Sequence, residues 1–229
     1  MKNEECLICK QPLEYLEQAE KMECALCHKV EESNCRCVEG HYVCSECHMS
    51  GMDTFLGVCL SDSSKNPYEI LCKLMALPFC HMHGPEHHVL VGASLLTAYH
   101  NAGGVLDLQK ALLEMQNRGR KVPGGICGLW GSCGAAVSTG IFVSIVTGSS
   151  PLSTESWGLC NRMTSRVLAK EADIGGPRCC KRNSSLAVLE AIDFAAEYLG
   201  VQMEKPEQIR CEYSHKNNQC IKERCPFHK

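Results

Sequence analysis

Eight cysteines fall in four close pairs near the start of the chain: Cys6-x2-Cys9, Cys24-x2-Cys27, Cys35-x-Cys37 and Cys44-x2-Cys47. Two-residue spacing lets both sulfurs of a pair face one ion, and four thiolates satisfy tetrahedral zinc at about 2.3 Å per bond. Eight ligands in four pairs make two such sites. Sequential pairing would give Cys6, Cys9, Cys24 and Cys27, then Cys35, Cys37, Cys44 and Cys47. Interleaved pairing would group Cys24, Cys27, Cys44 and Cys47 and leave the other four for the second site. The spacing does not choose between them. His28, His41 and His48 stand beside these pairs and could replace a thiolate. A module of about 50 residues has too small a core to fold unaided, so metal binding would supply its folding free energy. Zinc in these sites reads as structural rather than catalytic.

The whole chain has 19 cysteines in 229 residues. An odd number fits a fully paired disulfide framework badly. Met1 to Cys6 is polar and acidic, with no apolar signal region behind it. Both observations point to a reducing cytoplasm, with thiols used for metals or redox chemistry. So many unprotected thiols suit an anaerobe. The formal net charge is −3, which argues against nucleic acid as a partner. The nearly uncharged stretch 126–146 is broken by Gly128, Gly131, Gly134 and Gly140. It reads as a buried helix, not a membrane span.

Cysteine spacing divides the chain into a zinc-ribbon-like module at 1–52, a helical domain at 53–210 and a Cys-rich tail at 211–229. The expected fold class is mostly α. Asn66-Pro67 signals a helix to about Leu77, and Gly84-Pro85 one to about His100. Asp107 caps a third, ending near Gly119. Ser153 opens another, stopped by Gly175-Gly176-Pro177, and Asn183 is expected to cap the last, before Gly200.

Three constellations in the helical part carry chemistry. His81-Met82-His83-Gly84-Pro85-Glu86-His87-His88 places four imidazoles and a carboxylate in eight residues. That density suits ligation or acid–base work, and His83 could meet His87 or His88 across the Gly84-Pro85 turn. The glycine-rich segment around Cys127 and Cys133 lets a backbone or bulky cofactor approach closely, or simply packs helices tightly. Arg178-Cys179-Cys180-Lys181-Arg182 sets two thiols among three cations before a helix N-terminus, an arrangement that favours thiolates and an anionic cofactor. The tail adds Cys211, Cys220 and Cys225-Pro226, with His228 nearby and Cys160 able to complete either set. Cys-Pro also closes ferredoxin ligand runs, although the spacing here differs from theirs.

On these residues the chain resembles a domain family of unknown function from anaerobic archaea and clostridia. The likeness spans the ribbon, the histidine octet, Pro123 to Gly128, Cys133-Gly134-Ala135-Ala136 and Gly175 to Asn183. The helical part is also distantly similar to the redox-active proteins named for a C-GCAxxG-C-C pattern, which implies cofactor or metal binding. Here Cys133 follows Ser132 and precedes Gly134, so the Gly-Cys-Ala order is not reproduced.

The expectation is a cytoplasmic metalloprotein with two structural zincs and an iron–sulfur cluster or reactive thiol centre. It would act in electron or sulfur transfer to a small molecule or protein partner. Cys127, Cys133, Cys179 and Cys180 are the expected core of that centre, with Cys160 in reserve and Arg178 beside an anionic ligand. Cys179 and Cys180, with His83 and His88, are the catalytic candidates. The rival readings are a zinc-containing adaptor or redox sensor, and a zinc hydrolase using the histidines. P-loop, nucleophile-elbow and dinucleotide fingerprints are missing from the sequence.

Overall fold

A computed structural model describes residues 6–228. The N-terminal part is a two-stranded antiparallel hairpin, β1 (Leu13–Glu23) and β2 (Val30–Cys37), followed by a one-turn helix α1 (Ser45–His48). Tyr15 pairs with Cys35 and Glu20 with Ser33, with an irregular register between them. A bridge from Cys24 to Tyr42 folds the chain after β2 back onto the end of β1. The hairpin sets Cys37 near the first pair, and the return brings His41 to that pair and Cys44 and Cys47 to the second.

The remainder is helical: α2 (Thr54–Ser61), α3 (Pro67–Met75), α4 (His87–Asn101), α5 (Leu108–Gly119), α6 (Ile126–Leu129), α7 (Gly134–Thr147), α8 (Glu155–Ile174) and α9 (Cys180–Tyr198). Local chemistry sets several starts. The Asn66 side chain accepts from the Tyr68 N–H and Pro67 takes the first turn of α3. Asp107 accepts from the Lys110 N–H to start α5.

The last helix differs from expectation. Cys179, not Asn183, occupies its N-cap, and the Cys179 thiol accepts from the Arg182 N–H. Asn183 lies inside the first turn and donates instead to Cys133 Sγ at 3.3 Å.

Helix α4 is the central element, buried from His87 to Tyr99. It packs against α2, α3, α5, α7 and α9, while α8 packs on α7 and α9. Small residues allow the close approaches: a Cβ at Gly92 would lie 2.2 Å from the Met115 sulfur, and one at Gly140 2.2 Å from the Thr164 hydroxyl. The apolar stretch is split, with α6 and α7 separated by Trp130 to Cys133. Among the described residues, no helix is long and apolar enough to cross a membrane. The tail has little regular structure. It returns along the helices, where the Cys211 N–H donates to the Phe227 carbonyl at 2.7 Å.

Candidate metal centres

The hairpin and the segment after it assemble two tight ligand groups. Cys6, Cys9, Cys37 and His41 bring their donor atoms within 4.8 Å of one another, and so do Cys24, Cys27, Cys44 and Cys47. The arrangement is therefore interleaved, with one departure: His41 stands where Cys35 was expected. The reason is the tight turn after β2. Gly40 adopts φ +83°, a left-handed conformation that glycine tolerates without steric cost. The turn places His41 Nδ1 3.4 Å from Cys37 Sγ and 3.3 Å from Cys9 Sγ. Cys35 instead lies beside Tyr15 and faces a cavity.

The spacing fits a metal ion. Cys9 and Cys37 sulfurs are 3.7 Å apart, as are those of Cys27 and Cys44. Two thiolates on one tetrahedral zinc, each at about 2.3 Å, would stand about 3.75 Å apart. Backbone N–H groups orient the sulfurs: Ile8 donates to Cys6 and Cys44 to Cys24. Burial alone would raise the Cys24 thiol, but N–H groups of Cys44, Cys27 and Leu26 outweigh it and hold it at about 6. All 19 cysteines are free thiols.

A cavity of about 910 Å³ lies between the ribbon and the helical part. Cys127, Cys133, Cys179, Cys180, Arg178, His83 and His88 all line it. Cys160 does not; it packs against the helical core from α8. His88 Nδ1 lies 2.9 Å from the Val122 carbonyl, so the N–H there leaves Nε2 as an acceptor beside Gly134. A Cβ at Gly134 would sit 2.2 Å from that ring, which explains a glycine at this place. His83 is engaged at both nitrogens, with Cys180 N–H at 3.5 Å and Asn217 Oδ1 at 3.4 Å. It ties the tail to α9.

The thiols here are not pre-ionised. Burial pushes Cys180 far up, although Arg178 and the Gly84 N–H pull the other way. Burial also pushes Cys133 up to about 12. The cations and helix N-terminus expected to favour thiolates at Cys179 and Cys180 are present, but desolvation is the larger effect. A bound metal would displace these protons.

A second cavity, about 420 Å³, lies between α3, α9 and the tail. Cys179, Cys211, Cys220 and Cys225 line it together. Three of these sulfurs accept backbone N–H bonds: from Arg182 to Cys179 at 3.4 Å, Tyr213 to Cys211 at 3.3 Å and Lys222 to Cys220 at 3.4 Å. Asn217 Nδ2 adds a second donor to Cys179 at 3.5 Å. Arg182, which also lines the cavity, is buried and its Nη1 has no hydrogen-bond partner. Cys179 lines both cavities. Residue spacing had already marked the three tail cysteines, but only the fold shows that Cys179 joins them.

Glu86 precedes α4 and is fully buried. Its Oε1 accepts the His81 backbone N–H at 2.8 Å. His48 Nδ1 lies 3.2 Å from Oε2, and His81 Nδ1 3.5 Å from Oε1. Burial would raise this carboxyl, but His48 and His81 outweigh that and hold it well below the usual range. Cys80, Glu86 and His87 form an adjoining group. There Lys181 Nζ already donates to Cys80 Sγ at 3.1 Å, and His87, buried, is pushed down to about 3, first by desolvation and then by Lys181.

No curated protein and no solved structure matches this chain. One family does, over residues 55–228, which takes in the helical part, both cavities' helical walls and the tail. The chain therefore belongs to a family of unknown function (DUF5714).

Proposed function

We propose that this protein is a redox metalloprotein, with an iron–sulfur cluster held by Cys179, Cys211, Cys220 and Cys225 serving the larger cavity. The observation that carries the reading is the position of Cys179, which lines both cavities. A four-thiolate cluster is the usual ligation of iron–sulfur centres, and it exchanges single electrons when bound. The four thiols do not form a group as tight as those of the ribbon.

The surrounding residues match an anion. Arg182 offers a buried, unused N–H, and backbone N–H groups reach three of the four sulfurs. Hydrogen bonds to cluster sulfurs and nearby cations stabilise the reduced, more negative state. In the larger cavity, His88 Nε2 is the group placed to exchange a proton, and Cys180 and Cys133 are neutral thiols beside it. A small redox or sulfur-containing substrate there would meet proton and thiol donors while lying next to Cys179. The two ribbon groups would hold structural zinc and cover the cavity from above.

The test is the protein prepared without oxygen. Equal iron and acid-labile sulfide, with visible absorption that dithionite bleaches, is expected. Zinc alone, with neither iron nor sulfide after reconstitution, would contradict the cluster and favour a zinc-containing adaptor.

A further inference from the structure

We infer that His48, His81 and Glu86 form a third metal site, for a divalent transition-metal ion, which joins the ribbon to the helical domain. This inference stands apart from the cluster.

Three buried polar atoms meet at this place: His48 Nδ1, His81 Nδ1 and Glu86 Oε2; they lie within ion-pair distance across the group, but none makes a hydrogen bond of normal geometry. Three unsatisfied atoms converging in one spot is unusual, since buried polar groups are nearly always paired. Their separations suit ligation. Donors at about 2.0–2.1 Å around a tetrahedral ion lie about 3.3–3.4 Å apart; His48 Nδ1 and Glu86 Oε2 are 3.2 Å apart, and one donor atom from each of His48, His81 and Glu86 lies within 4.8 Å of the other two. The two rings meet edge to face, with centroids 4.6 Å apart. Glu86 Oε1 is fixed by the His81 backbone N–H, which leaves Oε2 facing His48.

Glycine keeps the place open. A Cβ at Gly84 would lie 2.1 Å from Glu86 Oε2 and 2.5 Å from His48 Cε1. The adjoining Cys80, Glu86 and His87 group is a poorer site, because Lys181 already occupies Cys80 and His87 Nδ1 is held by the Gly84 carbonyl at 3.0 Å.

Two imidazoles and one carboxylate are a ligand set used by zinc and by ferrous iron in sites that keep a position open. Both histidine rings are partly exposed and line the larger cavity. The open position would therefore face whatever that cavity binds. His48 comes from α1 of the ribbon and Glu86 from the start of α4, so the ion would also hold the two parts in register.

The experiment uses the full chain with its native metals, dialysed against zinc and counted by elemental analysis. Wild type should bind one more divalent ion per chain than His48→Ala, and one more than Glu86→Gln. Cys80→Ala should match wild type. Iron and sulfide should be unchanged in His48→Ala, which separates this site from the cluster. His48 is on a one-turn surface helix, so that variant reports even if Glu86→Gln folds poorly. Equal zinc in wild type and folded His48→Ala would overturn the inference.

Discussion

His48 Nδ1 lies 3.2 Å from Glu86 Oε2, across the seam between the ribbon and the helical domain. Replacing Glu86 by alanine leaves the His81 backbone N–H without its acceptor. A buried donor left unpaired costs about 1–3 kcal/mol. Glu86→Ala should therefore lower the unfolding free energy by that much, measured by urea unfolding in the presence of a chelator.

Cys35 and Cys37 should behave differently. Cys37 belongs to a four-ligand group and Cys35 does not. Cys37→Ala or His41→Ala should reduce zinc binding by one ion per chain and leave the hairpin sensitive to protease. Cys35→Ala should retain the full zinc content. Loss of zinc from Cys35→Ala would show that the ligand exchange at His41 is wrong.

The glycines separate by what surrounds them. Gly134→Ala drives a methyl into His88, whereas a Cβ at Gly128 meets nothing within 4 Å. Overpacking of this kind costs about 1–3 kcal/mol, while a surface change away from such contacts stays within about 0.5 kcal/mol. Thermal unfolding of the two variants should show a clear drop for Gly134→Ala only.

Glu171 gives a pH dependence. Burial pushes its carboxyl up to about 7, against smaller opposing effects of Cys133 and Arg182. The folded state thus binds a proton that the unfolded chain releases at the ordinary carboxylate value. This contribution to stability is present at low pH and is lost as pH rises through about 7. Glu171→Gln keeps the side chain neutral. Its stability should exceed wild type by about 1–3 kcal/mol above that pH and match it near the ordinary carboxylate pKa. Parallel curves for the two proteins would contradict the assignment.

Much of the helical domain was legible because its signals are local. Asn66-Pro67 and Asp107 cap where their side chains reach the next turn, whatever the tertiary fold. Asn183 failed as a cap because Cys179 Sγ, four residues earlier, reaches the Arg182 N–H first. The four ribbon pairs were visible for the same local reason. Their interleaving was not, since it depends on the return of Tyr42 to Cys24. The proposed ligand set was half visible: the tail cysteines stand out by spacing, but that they line one cavity with Cys179 is a product of how the tail folds back. Glu86 stands among the histidines in the sequence, yet its partner His48 lies in the N-terminal part.

The cluster ligand set is tested most directly by iron and acid-labile sulfide per chain in three proteins prepared without oxygen: wild type, Cys225→Ser and Cys127→Ser. Wild type and Cys127→Ser should carry equal iron and sulfide, and Cys225→Ser should lose most of both while keeping its ribbon zinc. Retention in Cys225→Ser with loss in Cys127→Ser would move the cluster to the larger cavity and contradict the proposed ligand set.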